Sequence, residues 1–314
     1  MPLLRSNSGW VATLLPAILG CGACALSVKT FEQYGWSLFI LLPIFVSMLS
    51  AFLWGYKRKI SYRSSYLMAL SSTLYLGLFI LLFALDGLIC LLMALPLAAL
   101  LSSIGAWLGW LLARAVSNPK GNALIVLISC SFPFFVAFEH SQEVSPPLRQ
   151  VQTKVLIKGS IEEVWEQVIA FPKITTRPTG LFRTGIAYPV EARIEGHGVG
   201  AIRYCTFSTG DFVEPITVWD APNKLAFSVT ASPAPMKELS IYDHVHAPHL
   251  EDHLQSQKGQ FVLQQTEDGV LLEGTTWYTH SIAPDFYWGL ISDEIIHRIH
   301  LRVLHHIREV VERP

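Results

Sequence analysis

Residues 88–112 read LICLLMALPLAALLSSIGAWLGWLL and contain no charged side chain. An α-helix needs about 20 predominantly apolar residues to cross the ~30 Å hydrocarbon core of a bilayer. The first 138 residues contain five runs of this kind, and the rest of the chain contains none. The predicted transmembrane spans are Trp10–Val28, Trp36–Tyr56, Tyr66–Leu85, Leu88–Leu112 and Asn122–Phe138. The sequence therefore predicts an α-helical membrane bundle over residues 1–138, followed by a soluble part.

The charged residues of the short loops predict which side of the membrane each part occupies. Loops rich in Lys and Arg stay in the cytoplasm. Such residues cluster in the second and fourth loops, namely Lys57, Arg58, Lys59, Arg63, Arg114 and Lys120. The sequence therefore predicts a multi-pass protein of the cell membrane, plasma or inner. Its amino terminus is expected in the cytoplasm and its carboxyl-terminal domain outside it.

Charge also limits the classes of function. Residues 1–138 hold eight Lys or Arg and two acids, whereas residues 139–314 hold 15 Lys or Arg and 22 acids. Neither part has the clustered basic face of a nucleic-acid-binding protein, so no nucleic-acid partner is expected. No Asp, Glu, Lys, Arg or His lies in the middle of a predicted span, where transporters and pumps generally need such a residue. The helices are therefore expected to anchor the protein, and Gly105 and Gly109 have the spacing typical of close helix contacts.

The soluble part has the element order of an α+β domain. After a linker at residues 139–150, a strand is predicted at Val151–Ile157. Ser160 and Glu163 form a capping box that opens a helix, Ile161–Phe171. Six strands and a final helix at residues 284–312 follow, with an irregular stretch, Ser232–Lys258, between the fourth and fifth of them. The six predicted strands are Tyr188–Glu195, Ala201–Ser208, Asp211–Trp219, Lys224–Ala231, Gly259–Thr266 and Val270–Ser281.

Particular stretches of this part are similar to a known superfamily. They are FRTGIAYP at 182–189, FSTG at 207–210, EPIT at 214–217, GTTWY at 274–278 and IHRIH at 296–300. Together they resemble the SRPBCC superfamily, which contains START-like lipid carriers and polyketide cyclase/dehydrase-like proteins. The resemblance implies a helix-grip fold over residues 151–314, in which an antiparallel sheet surrounds the long final helix and encloses an apolar pocket. Because this fold hosts carriers, cyclases and hydrolases, it does not imply one reaction.

Glu214 is the first candidate site residue. On its strand Phe212, Ile216 and Val218 are expected to face the pocket, and Glu214 has the same parity. An acid on an apolar face is a candidate ligand contact or general base, since burial raises a carboxyl pKa. The alternative is that Glu214, beside Pro215, sits at a strand bulge and reaches solvent.

His300 is the second candidate, because it falls in the middle of the apolar arc of the final helix, with His297 and His306 at the edges of that arc. It is predicted to be a ligand contact or a general base, or else a core histidine hydrogen-bonded to a strand. Glu214 and His300 are the catalytic candidates. The predicted ligand-binding residues are Phe207, Phe212, Glu214, Phe227, Tyr242, Tyr278 and His300.

Four histidines crowd the irregular stretch, and they are the weak candidates for a metal site: His244, His246, His249 and His253. Imidazoles are zinc ligands, but their spacing here matches no known motif, and a pocket lid with solvated histidines is the alternative. No cofactor is predicted.

The leading hypothesis from the sequence is a membrane-anchored binding protein for an apolar small molecule or lipid, with membrane lipids and that ligand as its partners. Two alternatives remain open. One is a cyclase- or hydrolase-type enzyme that uses the same pocket with Glu214 or His300 as general base. The other is a sensor or assembly scaffold that recognises a protein.

Overall fold

The structure is a computed structural model that describes residues 7–31, 34–115, 134–139, 141, 145–239, 242 and 254–313. The chain divides into two compact units. The helical unit comprises Met1–Val144 with Glu238–Pro248 and Ile282–Pro284, and the sheet unit comprises Ser145–Lys237, His249–Ser281 and Asp285–Pro314.

Four long helices make up most of the helical unit: α1 (Asn7–Phe31), α2 (Leu42–Gly55), α3 (Tyr62–Leu82) and α4 (Leu88–Ala115). A π-helical turn, Ser37–Leu41, leads into α2. Among the described residues, four helices are long and apolar enough to cross a membrane: Gly9–Lys29, Ser37–Gly55, Tyr62–Leu82 and Leu88–Ala115.

The fifth predicted span, Asn122–Phe138, lies mostly outside the described residues. Its residues 122–133 are among those that the structure does not describe, and residues 134–139 are helical. The structure therefore supports four of the predicted spans and leaves the fifth as a prediction.

Two glycines of α4 set how closely it approaches α2. An added Cβ at Gly105 would lie 2.4 Å from the Ile44 carbonyl oxygen, and one at Gly109 would lie 2.2 Å from that of Met48. Both glycines are buried. Side chains larger than hydrogen are therefore excluded from this contact, which agrees with the close packing expected from their spacing.

Among its described residues, the sheet unit contains seven strands, two α-helices and a short 3-10 helix, Gly180–Thr184. The α-helices are α5 (Ile161–Ile169) and α6 (Asp285–Val311). All neighbouring strands pair antiparallel, in the order β1-β7-β6-β5-β4-β3-β2. The strands are β1 (Arg149–Ile157), β2 (Pro189–Glu195), β3 (Ile202–Phe207), β4 (Gly210–Asp220), β5 (Lys224–Ser228), β6 (Leu254–Thr266) and β7 (Gly269–His280).

The sheet curves around α6, as the helix-grip arrangement requires. Strands β1 and β2 are the two edges of the sheet, and α6 contacts both of them as well as β7. The apolar face of α6 fills the concave side, where Leu304 and Ile307 are fully buried in one cluster with Leu225 and Leu272. Burial of this helix face against the sheet contributes to the stability of the unit.

Local signals explain how the elements begin and end. The predicted capping box is present: Glu163 N donates to Ser160 Oγ at 3.3 Å and Ser160 N donates to Glu163 Oε2 at 2.9 Å. Helix α5 ends at Ile169, two residues before the predicted end, because the backbone of Phe171 instead pairs with Ala192.

Strand β6 is longer than the sequence predicts. It begins at Leu254, within the stretch predicted to be irregular, because residues 254–258 pair with the last residues of β7 across a register shift. The residues Gln255 to Lys258 are all polar, so their sequence lacks the alternation that identifies a half-buried strand.

The Gly109 contact is testable by substitution. Gly109→Ala in the full-length protein should lower stability by about 1–3 kcal/mol, the usual cost of overpacking a close contact. The matched control is Gly22→Ala in α1, where an added Cβ meets nothing within 4 Å. Alanine is the better helix former, so this control should be neutral or slightly stabilising. Thermal unfolding in detergent, followed by tryptophan fluorescence, compares the two, and equal midpoints would contradict the close contact of α2 and α4.

Candidate functional site

A cavity of about 100 Å³ lies in the sheet unit, between the concave face of the sheet and α6. Most of its lining surface is apolar and comes from four phenylalanine rings and four aliphatic side chains, although eight polar residues also border it. The lining residues are Arg203, Cys205, Phe207, Phe212, Glu214, Phe227, Val229, Ser256, Lys258, Gln260, Phe261, Gly274, Thr275, Thr276, Ile296, Ile299, His300 and Val303. A concave, mostly apolar site with few polar groups is the usual form of a small-molecule site.

A buried ion pair stands on the cavity wall. Arg203 on β3 and Glu214 on β4 are directly opposite each other in the strand register. Their side chains are 2% and 8% exposed, and Arg203 Nη1 donates a hydrogen bond to Glu214 Oε2. Burial raises the pKa of the Glu214 carboxyl above its ordinary range, while the Arg203 guanidinium opposes that rise. The pair therefore places a polar centre inside an otherwise apolar cavity.

The alternative that Glu214 reaches solvent at a bulge is wrong. The pairing of β3 with β4 runs from Phe207 to Ile202 without a shift in register, so no bulge turns Glu214 outward.

Aromatic rings and one carbonyl complete the surroundings of Arg203. The guanidinium carbon lies 5.6–5.8 Å from the ring centroids of Phe171, Phe227 and Phe261. Arg203 Nε donates to the Ile169 carbonyl oxygen at the end of α5, at 3.1 Å. Cation–π contact and this hydrogen bond partly replace the lost hydration of the cation.

Cys205 also lines the cavity, two residues after Arg203 on the same face of β3. Burial is the main cause that raises the pKa of its thiol to about 12. The thiol is therefore protonated at neutral pH, and a buried protonated cysteine is a poor nucleophile.

His300 lies on α6 with both ring nitrogens at hydrogen-bond distance from threonine hydroxyls. Nδ1 is 3.1 Å from Thr153 Oγ1 and Nε2 is 2.7 Å from Thr276 Oγ1. The Thr153 hydroxyl is also 2.8 Å from His297 Nδ1. Burial, with a smaller effect of His297, lowers the pKa of His300 to about 4. His300 thus fits both sequence interpretations, since it lines the cavity and is hydrogen-bonded to strands β1 and β7.

The structure brings together five of the seven predicted ligand-binding residues in this cavity, namely Phe207, Phe212, Glu214, Phe227 and His300. Tyr278 and Tyr242 are not among the lining residues. Tyr242 is assigned to the helical unit, where its hydroxyl donates to the Leu82 carbonyl oxygen at 2.6 Å. The four candidate metal-binding histidines lie outside the described residues.

Tyr278 belongs to a separate polar network, the Arg149 network, formed by Arg149, Tyr278, Asp285 and Asp293. The Tyr278 hydroxyl donates to Asp293 Oδ1 at 2.7 Å, and Arg149 forms ion pairs with Asp285 at 2.8 Å and Asp293 at 2.6 Å. Burial and the Asp293 carboxylate raise the pKa of Tyr278. Gly289 makes room for this arrangement, because an added Cβ there would lie 2.5 Å from the Arg149 guanidinium.

Sequence reasoning missed Arg203 and Lys258 as site residues. The alternation Arg203, Cys205, Phe207 along β3 was an available signal, since it gives all three residues the same face. Lys258 lies in the part of β6 that was predicted to be irregular. Its ammonium group is 4.8 Å from the centroid of the Trp277 ring, which is not among the lining residues.

No protein-family model matches this sequence, and no curated protein sequence matches it. Solved structures do resemble the chain. The Aha1 dimer from Colwellia psychrerythraea is 13% identical with a TM-score of 0.31, over 52% of this chain and 96% of that one. Truncated norcoclaurine synthase from Thalictrum flavum is 13% identical with a TM-score of 0.34, over 55% and 99% of the two chains. An uncharacterised protein from Bacillus thuringiensis is 15% identical with a TM-score of 0.34, over 52% and 100%. Likenesses this distant do not identify a ligand or an activity.

Proposed function

We propose that the sheet unit binds a small, mainly apolar molecule in the cavity between its sheet and α6, and that the apolar helices anchor this unit in a membrane. The observation that carries the proposal is the cavity itself. Its aromatic wall contains a small set of buried polar groups that already have partners, the Arg203–Glu214 pair and His300. Such preformed polar groups orient a ligand without being rebuilt when it binds.

The volume of the cavity limits the size of the ligand. An apolar cavity of about 150 Å³ holds benzene in another protein, and pockets for drug-sized ligands measure about 300–1,000 Å³. The cavity here is about 100 Å³. The inserted group is therefore compact, such as a short branched chain, and a whole lipid does not fit.

Binding is supported over acid–base catalysis by the state of the two catalytic candidates. A general base works best when its pKa lies near the operating pH. The pKa of His300 is lowered to about 4, and both of its ring nitrogens already contact hydroxyls. Glu214 is paired with Arg203. Both residues are better suited to hydrogen bonding a ligand than to removing a proton from it.

The membrane part of the proposal includes five spans, with a cytoplasmic amino terminus. Contacts near the two ends of α2 support an odd number of membrane spans. Trp110 near the end of α4 donates to the Ile60 carbonyl oxygen in the loop that follows α2, at 3.1 Å. Glu139 accepts from the backbone N–H groups of Trp36 and Ser37 before α2, at 2.5 and 2.9 Å. Trp110 and Glu139 therefore lie near opposite ends of α2, as expected if a fifth span comes between them in the chain.

Cavity filling tests the binding proposal. Val229→Phe should reduce the affinity of the full-length protein for isovalerate and for its neutral analogue 3-methylbutan-1-ol by at least about tenfold, or ~1.4 kcal/mol. The matched control is Val218→Phe on β4, which is 37% exposed and does not line the cavity. Saturation-transfer NMR in detergent measures both ligands. Unchanged binding by the Val229 variant, or no binding by the wild type, would refute the proposal.

A pH profile tests the state of His300. In the unfolded chain a histidine takes up its proton near pH 6.5, whereas folded His300 does so only near pH 4. The unfolded state therefore binds more protons between these values, and stability should fall by roughly 2 kcal/mol as the pH drops through this window. His300→Gln should remove the largest part of this loss in urea unfolding curves. His305→Gln, at an exposed position on α6, should remove less of it, since burial lowers the pKa of His305 only partly and His306 still contributes. A wild-type profile that is flat from pH 6.5 to 4 would contradict the burial of a neutral His300.

Reporter fusions test the topology. A reporter that is active only outside the cytoplasm should be active when fused after Pro314, and a reporter active only in the cytoplasm should be inactive there. The same pair of reporters fused before residue 7 should give the opposite result. Cytoplasmic activity at both ends would indicate an even number of spans and overturn the proposed five.

A further inference from the structure

The helical unit contains a second cavity, of about 330 Å³, enclosed by α1, α2, α3 and α4. We infer that this cavity holds one acyl chain of a membrane phospholipid. The inference goes beyond the small-molecule site of the sheet unit, and of the proposed function it uses only the insertion of the helices in a membrane.

The lining is suited to hydrocarbon over its whole length. It runs along α3 from Thr73 to Leu81 and along α4 from Leu88 to Ala98, and most of it is leucine with small side chains between. The Thr73 hydroxyl, at one end, is 3.1 Å from Ser47 Oγ and 2.9 Å from Ser102 Oγ. This hydroxyl is therefore satisfied within the protein, and the occupant has no polar group to match along the helices.

The length of the cavity suits one extended chain. At a rise of about 1.5 Å per residue, the lining is about 12 Å long on α3 and about 15 Å long on α4. The volume of about 330 Å³ therefore extends along two to three turns of each helix. One hydrocarbon chain lying along α3 and α4 fits this length.

The open side of the cavity explains how a chain enters. Among its lining residues, Leu74 and Leu78 on α3 and Leu92 on α4 are 54%, 46% and 57% exposed. In a membrane-spanning helix such faces meet lipid hydrocarbon, so the gap between α3 and α4 opens sideways into the bilayer. An acyl chain reaches the cavity from there without crossing water.

Asp86 indicates the kind of headgroup. It lines the cavity in the loop between α3 and α4, at the end opposite Thr73. Helix ends lie at the level of the lipid headgroups. The Glu238 carboxylate, which accepts from the backbone N–H groups of Ile89 and Cys90, lies beside Asp86. Two acids at this position attract an ammonium group and repel a headgroup with net negative charge. A phosphatidylethanolamine is therefore preferred over a phosphatidylglycerol.

Gly77 offers a way to fill the cavity without displacing protein atoms. It lines the cavity in the middle of α3, and an added Cβ there meets nothing within 4 Å. Gly22 in the middle of α1 is equally unobstructed and does not line the cavity. Gly77→Leu and Gly22→Leu are therefore matched variants, of which only the first removes the space for the chain.

The experiment uses the full-length protein in nanodiscs of palmitoyl-oleoyl phosphatidylethanolamine and phosphatidylglycerol, transferred to mild detergent for native mass spectrometry. The wild type and Gly22→Leu should each retain one phosphatidylethanolamine per chain. Gly77→Leu should retain at least tenfold less, with an unfolding temperature equal to that of Gly22→Leu. Its isovalerate binding should be unchanged, which separates this site from that of the sheet unit.

A photocrosslinking measurement on the wild type keeps the inference testable if Gly77→Leu fails to fold. A phosphatidylethanolamine with a diazirine in one acyl chain should label peptides of residues 73–81 and 88–98. The inference is overturned if the wild type retains no lipid, if Gly77→Leu retains as much as the wild type, or if the label spreads evenly over all four helices. Preferential retention of phosphatidylglycerol would overturn the assigned headgroup.

Discussion

The ion pair of Arg203 and Glu214 is the interaction on which the sheet unit depends most. Moving two charges out of water costs several kcal/mol for each ion, so neither side chain can be buried there without the other. Their cross-strand position fixes the register of β3 against β4. The bond from Arg203 to the Ile169 carbonyl oxygen ties the same cation to the end of α5. One pair therefore holds two strands and a helix around the cavity.

The pair also determines the chemistry of the cavity. Phe171, Phe227 and Phe261 approach the Arg203 guanidinium because an aromatic face is one of the few apolar surfaces that a cation tolerates. The result is an apolar wall with a fixed charge pair in it, present before any ligand arrives. A preformed polar centre of this kind favours binding of a few specific ligands over binding of many, because a ligand must place its own polar group to match the position of the ion pair.

Features that depend on neighbouring residues can be predicted from the sequence, whereas contacts between segments far apart in the chain cannot. Four of the five apolar runs, the Ser160 capping box and the parity of Glu214 are local patterns that the described residues contain as predicted. The prediction that Tyr278 contacts a ligand uses only its position on a strand. Its actual partners, Arg149 and Asp293, belong to other elements of the fold and leave no signal in the residues next to Tyr278. The partners of a buried hydroxyl are a property of the tertiary fold, and alternation along one strand does not encode them.

The candidate site shows the same division. His300 was placed correctly on the inner face of α6 by helical periodicity, but its two threonine partners come from β1 and β7 and were not predictable from spacing. Lys258 is not predictable as a site residue, because Ser256 and Gln257 beside it are polar and the segment lacks the alternation typical of a strand. The segment is a strand because it pairs with β7. The size of the cavity depends on how the side chains of six elements pack, which no single segment determines.

The Arg149 network has a mechanical consequence. Strand β1 is an edge of the sheet, and it begins at Arg149, the residue where the chain arrives from the preceding helices. A force that pulls on that connection would break the hydrogen bonds between β1 and β7 one pair at a time. A strand pair resists such sequential separation less than a force that acts on all of its hydrogen bonds at once. The two ion pairs from Arg149 to Asp285 and Asp293 of α6 lie at the residue where this separation would begin. The sheet unit is thus reinforced at one of the places where the chain enters it from the helical unit.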